Sequence, residues 1–180
     1  MSRKCFFGLV IIFMLQMAAN FFTPIWAAYT HSLGGTVRSA GISIAIFSWG
    51  TAFFSVVIPI VNHKNSISEK CLLMMGIFLS LLVVIGYFFI HQIYYFYVAQ
   101  FILSFSAGMQ IPSFYVLYEK YITEKNRGFA WGVLESVFYV SLGLASLVAA
   151  FLFEHFGIQA VFSCMLVLIV IAQITAFFFV

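Results

Sequence analysis

A chain of 180 residues that is 64% hydrophobic, 7% charged and without a single Asp cannot cover a water-facing surface, which usually takes about a quarter charged residues. Its formal net charge of +3 comes from scattered basic residues, whereas a nucleic-acid interface gathers Lys and Arg on one face. Lipid is therefore the expected solvent, nucleic acid is not an expected partner, and the fold class is all-α.

A membrane-crossing helix takes roughly 20 mostly apolar residues. Ser2-Arg3-Lys4 ahead of an apolar run has the look of a signal peptide. The run over residues 6–28 is longer than a signal core, and Ile25-Trp26 make a poor cleavage site. It reads as a retained first span, carrying Gln16, Asn20 and Thr23 close together. The second span is expected at 40–61. The third, at 71–90, has only Ser80 and Tyr87 as polar side chains. The fourth, at 93–117, holds Gln100, Ser104, Ser106, Gln110 and Ser113, and the fifth, at 128–153, holds Glu135, Ser136, Tyr139, Ser141 and Ser146. The sixth, at 158–180, is bland apart from Ser163, Gln173 and Thr175. Unbroken apolar runs of this length are unlike the alternating short segments of a β-barrel. The expectation is one domain over residues 1–180, a polytopic bundle of six transmembrane helices.

The connections are short, so successive helices are antiparallel neighbours. Counting Lys and Arg by side puts Arg3, Lys4, Lys64, Lys70, Lys120, Lys125 and Arg127 together, with Arg38 alone opposite. The positive-inside rule then places both termini in the cytoplasm, in a cytoplasmic (inner) membrane. Polar groups in hydrocarbon must face other helices or a wet cavity. The first, fourth and fifth spans are accordingly inner, the third and sixth outer, and the second intermediate. Pro24 and Pro112 fall late in the first and fourth spans, followed at similar offsets by Arg38-Gly41 and Arg127-Gly128. That echo suggests two three-helix repeats of inverted topology, a transporter plan.

Glu135 is the carboxylate placed inside a span, eight residues beyond Arg127, or about 12 Å along a helix. Its functional reading is a protonatable or cation-pairing group in a transport path, which would bring proton or cation coupling; its structural reading is an interhelical ion pair or hydrogen bond. Gln16 and Asn20 share one face of the first span. They serve either as solute hydrogen-bonding groups or as glue between helices, worth about 0.6 kcal/mol on average. Gln100 and Gln110 lie near one face of the fourth span, and Tyr139 sits one turn beyond Glu135. These six residues are the candidate substrate path. Trp26, Tyr29, Tyr94, Tyr95 and Tyr97 fit an aromatic belt at span ends.

Cys5, Cys71 and Cys164 are far apart without CxxC spacing, and His31, His63, His91 and His155 are equally dispersed. No metal or other cofactor is expected. Enzyme readings fail on inventory: an intramembrane serine protease needs Ser and His at depth, an aspartyl protease needs two Asp, and no Gly-rich phosphate loop is present.

The stretches "PIWAAYTHSLGGTVRSAGISIAIFSWG", "YVAQFILSFSAGMQIPSFYVLYEKY", "EKNRGFAWGVLES" and "FEHFGIQAVF" together resemble the N-terminal six-helix half of a major facilitator superfamily transporter, over essentially the whole chain. The resemblance implies a half-size secondary transporter fold in which helices one, two, four and five line the substrate path. Asn62 and His63 stand where the family's second-to-third loop carries an Asp-Arg pair, and the fourth span lacks the Arg of many proton-coupled members. The exporter signature of the fifth span appears as Ala145-Ser146-Leu147-Val148-Ala149-Ala150, retaining small residues without the proline. The implied function is movement of a small solute by alternating access with a second six-helix unit, either another copy or a separate half. The competing expectation is a truncated or non-transporting membrane scaffold that binds another bundle.

Overall fold

The computed structural model describes residues 3–179. Ser2, Val180 and the Arg3 side chain, used in the span and charge readings above, lie outside the described residues. Among the described residues seven α-helices follow one another: α1 (Arg3–Asn20), α2 (Trp26–Ser32), α3 (Val37–Asn65), α4 (Glu69–Tyr87), α5 (Ile93–Glu119), α6 (Arg127–Phe156) and α7 (Ile158–Phe179). A 3-10 turn at Glu124–Asn126 precedes α6. No strand occurs among the described residues. Helices α3, α4, α5, α6 and α7 are each long and apolar enough to cross a membrane.

The expected first span is broken. α1 stops at Asn20, because Pro24 has no N–H to offer the Asn20 carbonyl and its ring crowds that oxygen. The Asn20 side chain adds to the interruption by donating to the Gln16 carbonyl at 2.8 Å, competing with the helix for that acceptor. The freed Asn20 carbonyl instead takes the Thr23 N–H at 3.1 Å, and the chain re-enters helix at Trp26. By contrast α5 runs on through Pro112, and α3 through Pro59. The expected likeness of Pro24 and Pro112 is therefore one of position, not of helix shape.

The other boundaries have local causes. Thr36 and Ser39 form a capping box ahead of α3, each hydroxyl accepting the other residue's backbone N–H. α3 consequently begins three residues before the expected position 40. Ser68 caps α4 by accepting the Cys71 N–H. Gly157, at φ 77°, takes the left-handed region that turns the chain sharply from α6 into α7.

The helices pack as two trios. α5 lies between α3 and α4, and α1 lies between α7 and α6; the trios meet chiefly where α4 packs on α7, with α2 touching α3. Close approach depends on missing side chains. At Gly50 of α3 an added Cβ would overlap the Ser104 side chain, and at Gly108 of α5 it would overlap Phe54. On α6 the small residues Ser141, Ala145 and Ala149 recur every fourth position and are fully buried, toward the α1 side of the trio.

The inner and outer assignment needs correcting. Within the chain α4 and α7, expected outside, are well covered, while α3 and α6 are the most exposed. Polarity alone marks which faces avoid lipid. It does not say whether the cover comes from the same chain.

Candidate functional site

Two aromatic clusters close the ends of the bundle. Phe22 is surrounded by Trp26, Tyr29, Tyr87, Phe96 and Phe162 at ring separations of 5.2–6.0 Å. At the other end Phe114 and Tyr118 stack at 5.7 Å, with Trp131 against Tyr118 and Phe179 against Phe114. That second end is the basic one: Lys4 sits over the Tyr121 ring, Lys70 over Phe177, and Arg127 pairs with Glu119.

Between the clusters lies a cavity of about 390 Å³, in the size range of small-molecule sites. α1, α3, α4, α5 and α7 supply most of its wall; α6 supplies none. Trp26 stands at one end and Phe114 at the other, and the exposed rim carries Ala19, Thr23 and Ile111. Its polar edge is formed by Gln16, Asn20, Thr51, Ser80 and Gln110.

A hydrogen-bonded patch joins α4 to α5 beneath that edge. The Ser106 hydroxyl donates to the Gly76 carbonyl at 2.7 Å, and the Ser80 and Ser106 hydroxyls are 2.7 Å apart. The Gln110 amide nitrogen donates to Ser80 at 2.8 Å and to Ser106 at 2.7 Å. Gly76 is what lets Gln110 reach this position, since a Cβ there would lie 2.6 Å from Gln110 Cγ. On α1, Asn20 Nδ2 reaches the Gln16 Oε1 at 3.4 Å, as well as the Gln16 backbone carbonyl. Thr51 Oγ1 is buried without a hydrogen-bond partner.

The six sequence-derived candidates separate into three places. Gln16, Asn20 and Gln110 converge on the cavity. Gln100 is fully buried elsewhere, donating to the Tyr87 hydroxyl at 3.0 Å inside the aromatic cluster. Glu135 and Tyr139 lie on an exposed face of α6, Tyr139 being 65% exposed. Glu135 is within electrostatic range of Tyr115, one turn of α5 from the rim residue Ile111. Ser80 and Thr51 join the site although the sequence reading passed over them. For Ser80 a signal existed: a lone hydroxyl in an otherwise apolar span has to find a partner. Thr51 carried none.

The region corresponding to the family's loop motif also has a defined geometry. Asn62 Nδ2 donates to the Ile67 carbonyl and Asn62 Oδ1 accepts the Ile67 N–H, both at 2.9 Å. The side chain thereby staples the α3–α4 turn around Ser66, which is left-handed at φ 54°. No group of His, Cys, Asp and Glu able to hold a metal occurs among the described residues.

A family model described as Major Facilitator Superfamily matches residues 7–180. The chain belongs to that superfamily. Comparison with curated proteins gives no significant match. Among solved structures, it is similar to an in meso crystal structure of the POT family transporter PepTSo, at 17% sequence identity and a TM-score of 0.75. That match covers 99% of this chain and 37% of the other, so the chain spans little more than a third of the transporter's length. The family and the apolar helices make it a multi-pass membrane protein of a transporter superfamily whose members are generally not enzymes.

Proposed function

We propose that residues 1–180 form one six-helix unit of a secondary transporter, moving a small solute by alternating access with a second six-helix unit. The observation carrying this reading is the cavity between two aromatic closures, polar on one edge, in a chain of the superfamily. α1 with α2 counts as the first of six crossings, and the helices then divide into repeats α1–α4 and α5–α7. The packing supports that division: exchanging the repeats turns the α3–α5 and α4–α5 contacts into the α6–α1 and α7–α1 contacts.

The basic end, bearing Lys4, Lys70 and Arg127, supports placing both termini on the cytoplasmic side of a cytoplasmic (inner) membrane. Gln16, Asn20 and Gln110 contact the solute in this reading. Glu135 and Tyr139 belong to the α6 face turned toward the second unit, where Glu135 couples transport to a proton or cation. The second unit is another copy of this chain or a separate six-helix half. The exposed α3 and α6 surfaces, with Trp49, Phe53, Tyr139 and Leu147, suit such a neighbour.

The test is reconstitution in liposomes with measurement of solute flux and oligomeric state. Glu135→Gln should abolish coupled flux while expression stays intact; unchanged flux makes Glu135 structural. A chain that remains monomeric and shows no solute-induced thermal shift would sink the transport reading in favour of a non-transporting scaffold.

A further inference from the structure

The chemistry of the solute is constrained by which dipoles in the cavity are already engaged. The Ser106 hydroxyl gives its hydrogen to Gly76, so toward Gln110 it can only accept. That fixes the amide orientation: the Gln110 nitrogen faces the two serines, and Oε1 is left as an acceptor in a side chain only 9% exposed. Asn20 Nδ2 is engaged by Gln16, leaving Asn20 Oδ1 as a second acceptor. The Gln16 amide nitrogen remains as a donor. Thr51 Oγ1, buried and unpartnered, can give or take one hydrogen bond.

The wall around these groups carries no Asp, Glu, Lys, Arg or His. An ion entering the cavity would lose hydration without meeting an opposite charge, a penalty that neutral dipoles offset only in part. The remaining wall, with Trp26, Phe114, Leu73, Met165 and Ile169, is apolar and partly aromatic.

We propose that the cavity takes an electrically neutral, amphipathic molecule whose polar edge presents two N–H or O–H donors beside one acceptor, as a primary amide or a vicinal diol does. Its apolar body lies between Trp26 and Phe114. This class rests on reading the cavity as the solute path. The same chemistry has two sources, a water-borne amide or an uncharged glyceride from the bilayer.

The experiment uses the full chain in detergent and follows tryptophan fluorescence, with Trp26→Phe identifying the signal from the cavity wall. Four probes are titrated: 3-phenylpropionamide, 3-phenylpropionate, 3-phenylpropylammonium and a monoacylglycerol. The amide or the glyceride should bind at least tenfold more tightly than either ion, and which of the two binds identifies the source. Gln110→Leu should weaken that binding at least tenfold. Because Gln110 also ties α4 to α5, Thr51→Val provides a near-isosteric second variant, expected to weaken binding severalfold with an unchanged melting temperature. An ion binding as tightly as the neutral probes, no binding by either neutral probe, or affinity indifferent to both variants overturns the assignment. Flux of a charged solute would overturn this class while leaving the transport reading intact. Binding of the amide without flux would do the reverse.

Discussion

Gly76 offers a demanding test of how the bundle is held together. Adding one methyl, Gly76→Ala, puts a Cβ 2.6 Å from Gln110 Cγ, 3.0 Å from the Ser106 backbone oxygen and 3.2 Å from Met109 Cβ. The oxygen belongs to α5 and moves only with its helix. Gln110 could swing away, but its nitrogen would then leave both Ser80 and Ser106. Overpacking a filled interface costs about 1–3 kcal/mol. Losing the interhelical bond to Ser80 adds about 0.6 kcal/mol at the membrane average, the bond to Ser106 being within α5. Replacing glycine within a helix returns about 0.5–1 kcal/mol. The net expectation is destabilisation of about 2 kcal/mol, or on the order of 4–8 °C in melting temperature for a chain of this size. Thermal unfolding in detergent measures it, with Gly143→Ala as the control, since nothing lies within 4 Å of a Cβ there. The control should be neutral or slightly stabilising. If Gly76→Ala melts at or above the control, the tight α4–α5 seam described here is wrong.

The Gln100–Tyr87 pair makes a second test. Gln100 Oε1 is buried without a partner while its nitrogen bonds Tyr87, so Tyr87→Phe should cost about 1–3 kcal/mol by orphaning the rest of the amide. Gln100→Leu should be nearly neutral, and the double variant should recover most of the loss; thermal melts of the three close the cycle. Arg127→Ala removes an ion pair whose side chains are 61% and 36% exposed and should shift stability by less than about 0.5 kcal/mol, with no change in melting temperature beyond error. Asn62→Ala should loosen the α3–α4 turn, since both of its bonds to Ile67 are lost. Faster amide exchange at Ile67 would report this, while the melting temperature falls by only a few degrees.

The helical architecture was legible because hydrocarbon leaves the backbone few options: long apolar runs had to be helices, and the second to sixth fell within a few residues of their expected limits. What misled was the assumption that a polar side chain declares a role by its presence. Gln100 and Gln110 sit on the same helix and near the same face, yet one is locked into an aromatic cluster and the other lines the cavity. The difference lies in what α4 places opposite each of them, Tyr87 in one case and a glycine-serine notch in the other, which no single-span pattern encodes. Pro24 and Pro112 make the same point for the backbone. The first combines with Asn20 to stop a helix, while the second is clamped by neighbours on both sides and lets its helix continue.

The arrangement in two trios has a mechanical consequence. The cavity draws α1 and α7 from one trio and α3, α4 and α5 from the other, and the trios are joined mainly along α4 and α7. Each slab contains a glycine-tight or small-residue seam, whereas neither glycine of α4 lies against α7. If the slabs rock as the proposed transport reading requires, the angle between them sets the width of the cavity. On the same proposed reading, a molecule seated there acts as a shim: it sets the clearance of the joint, and its departure lets the slabs close.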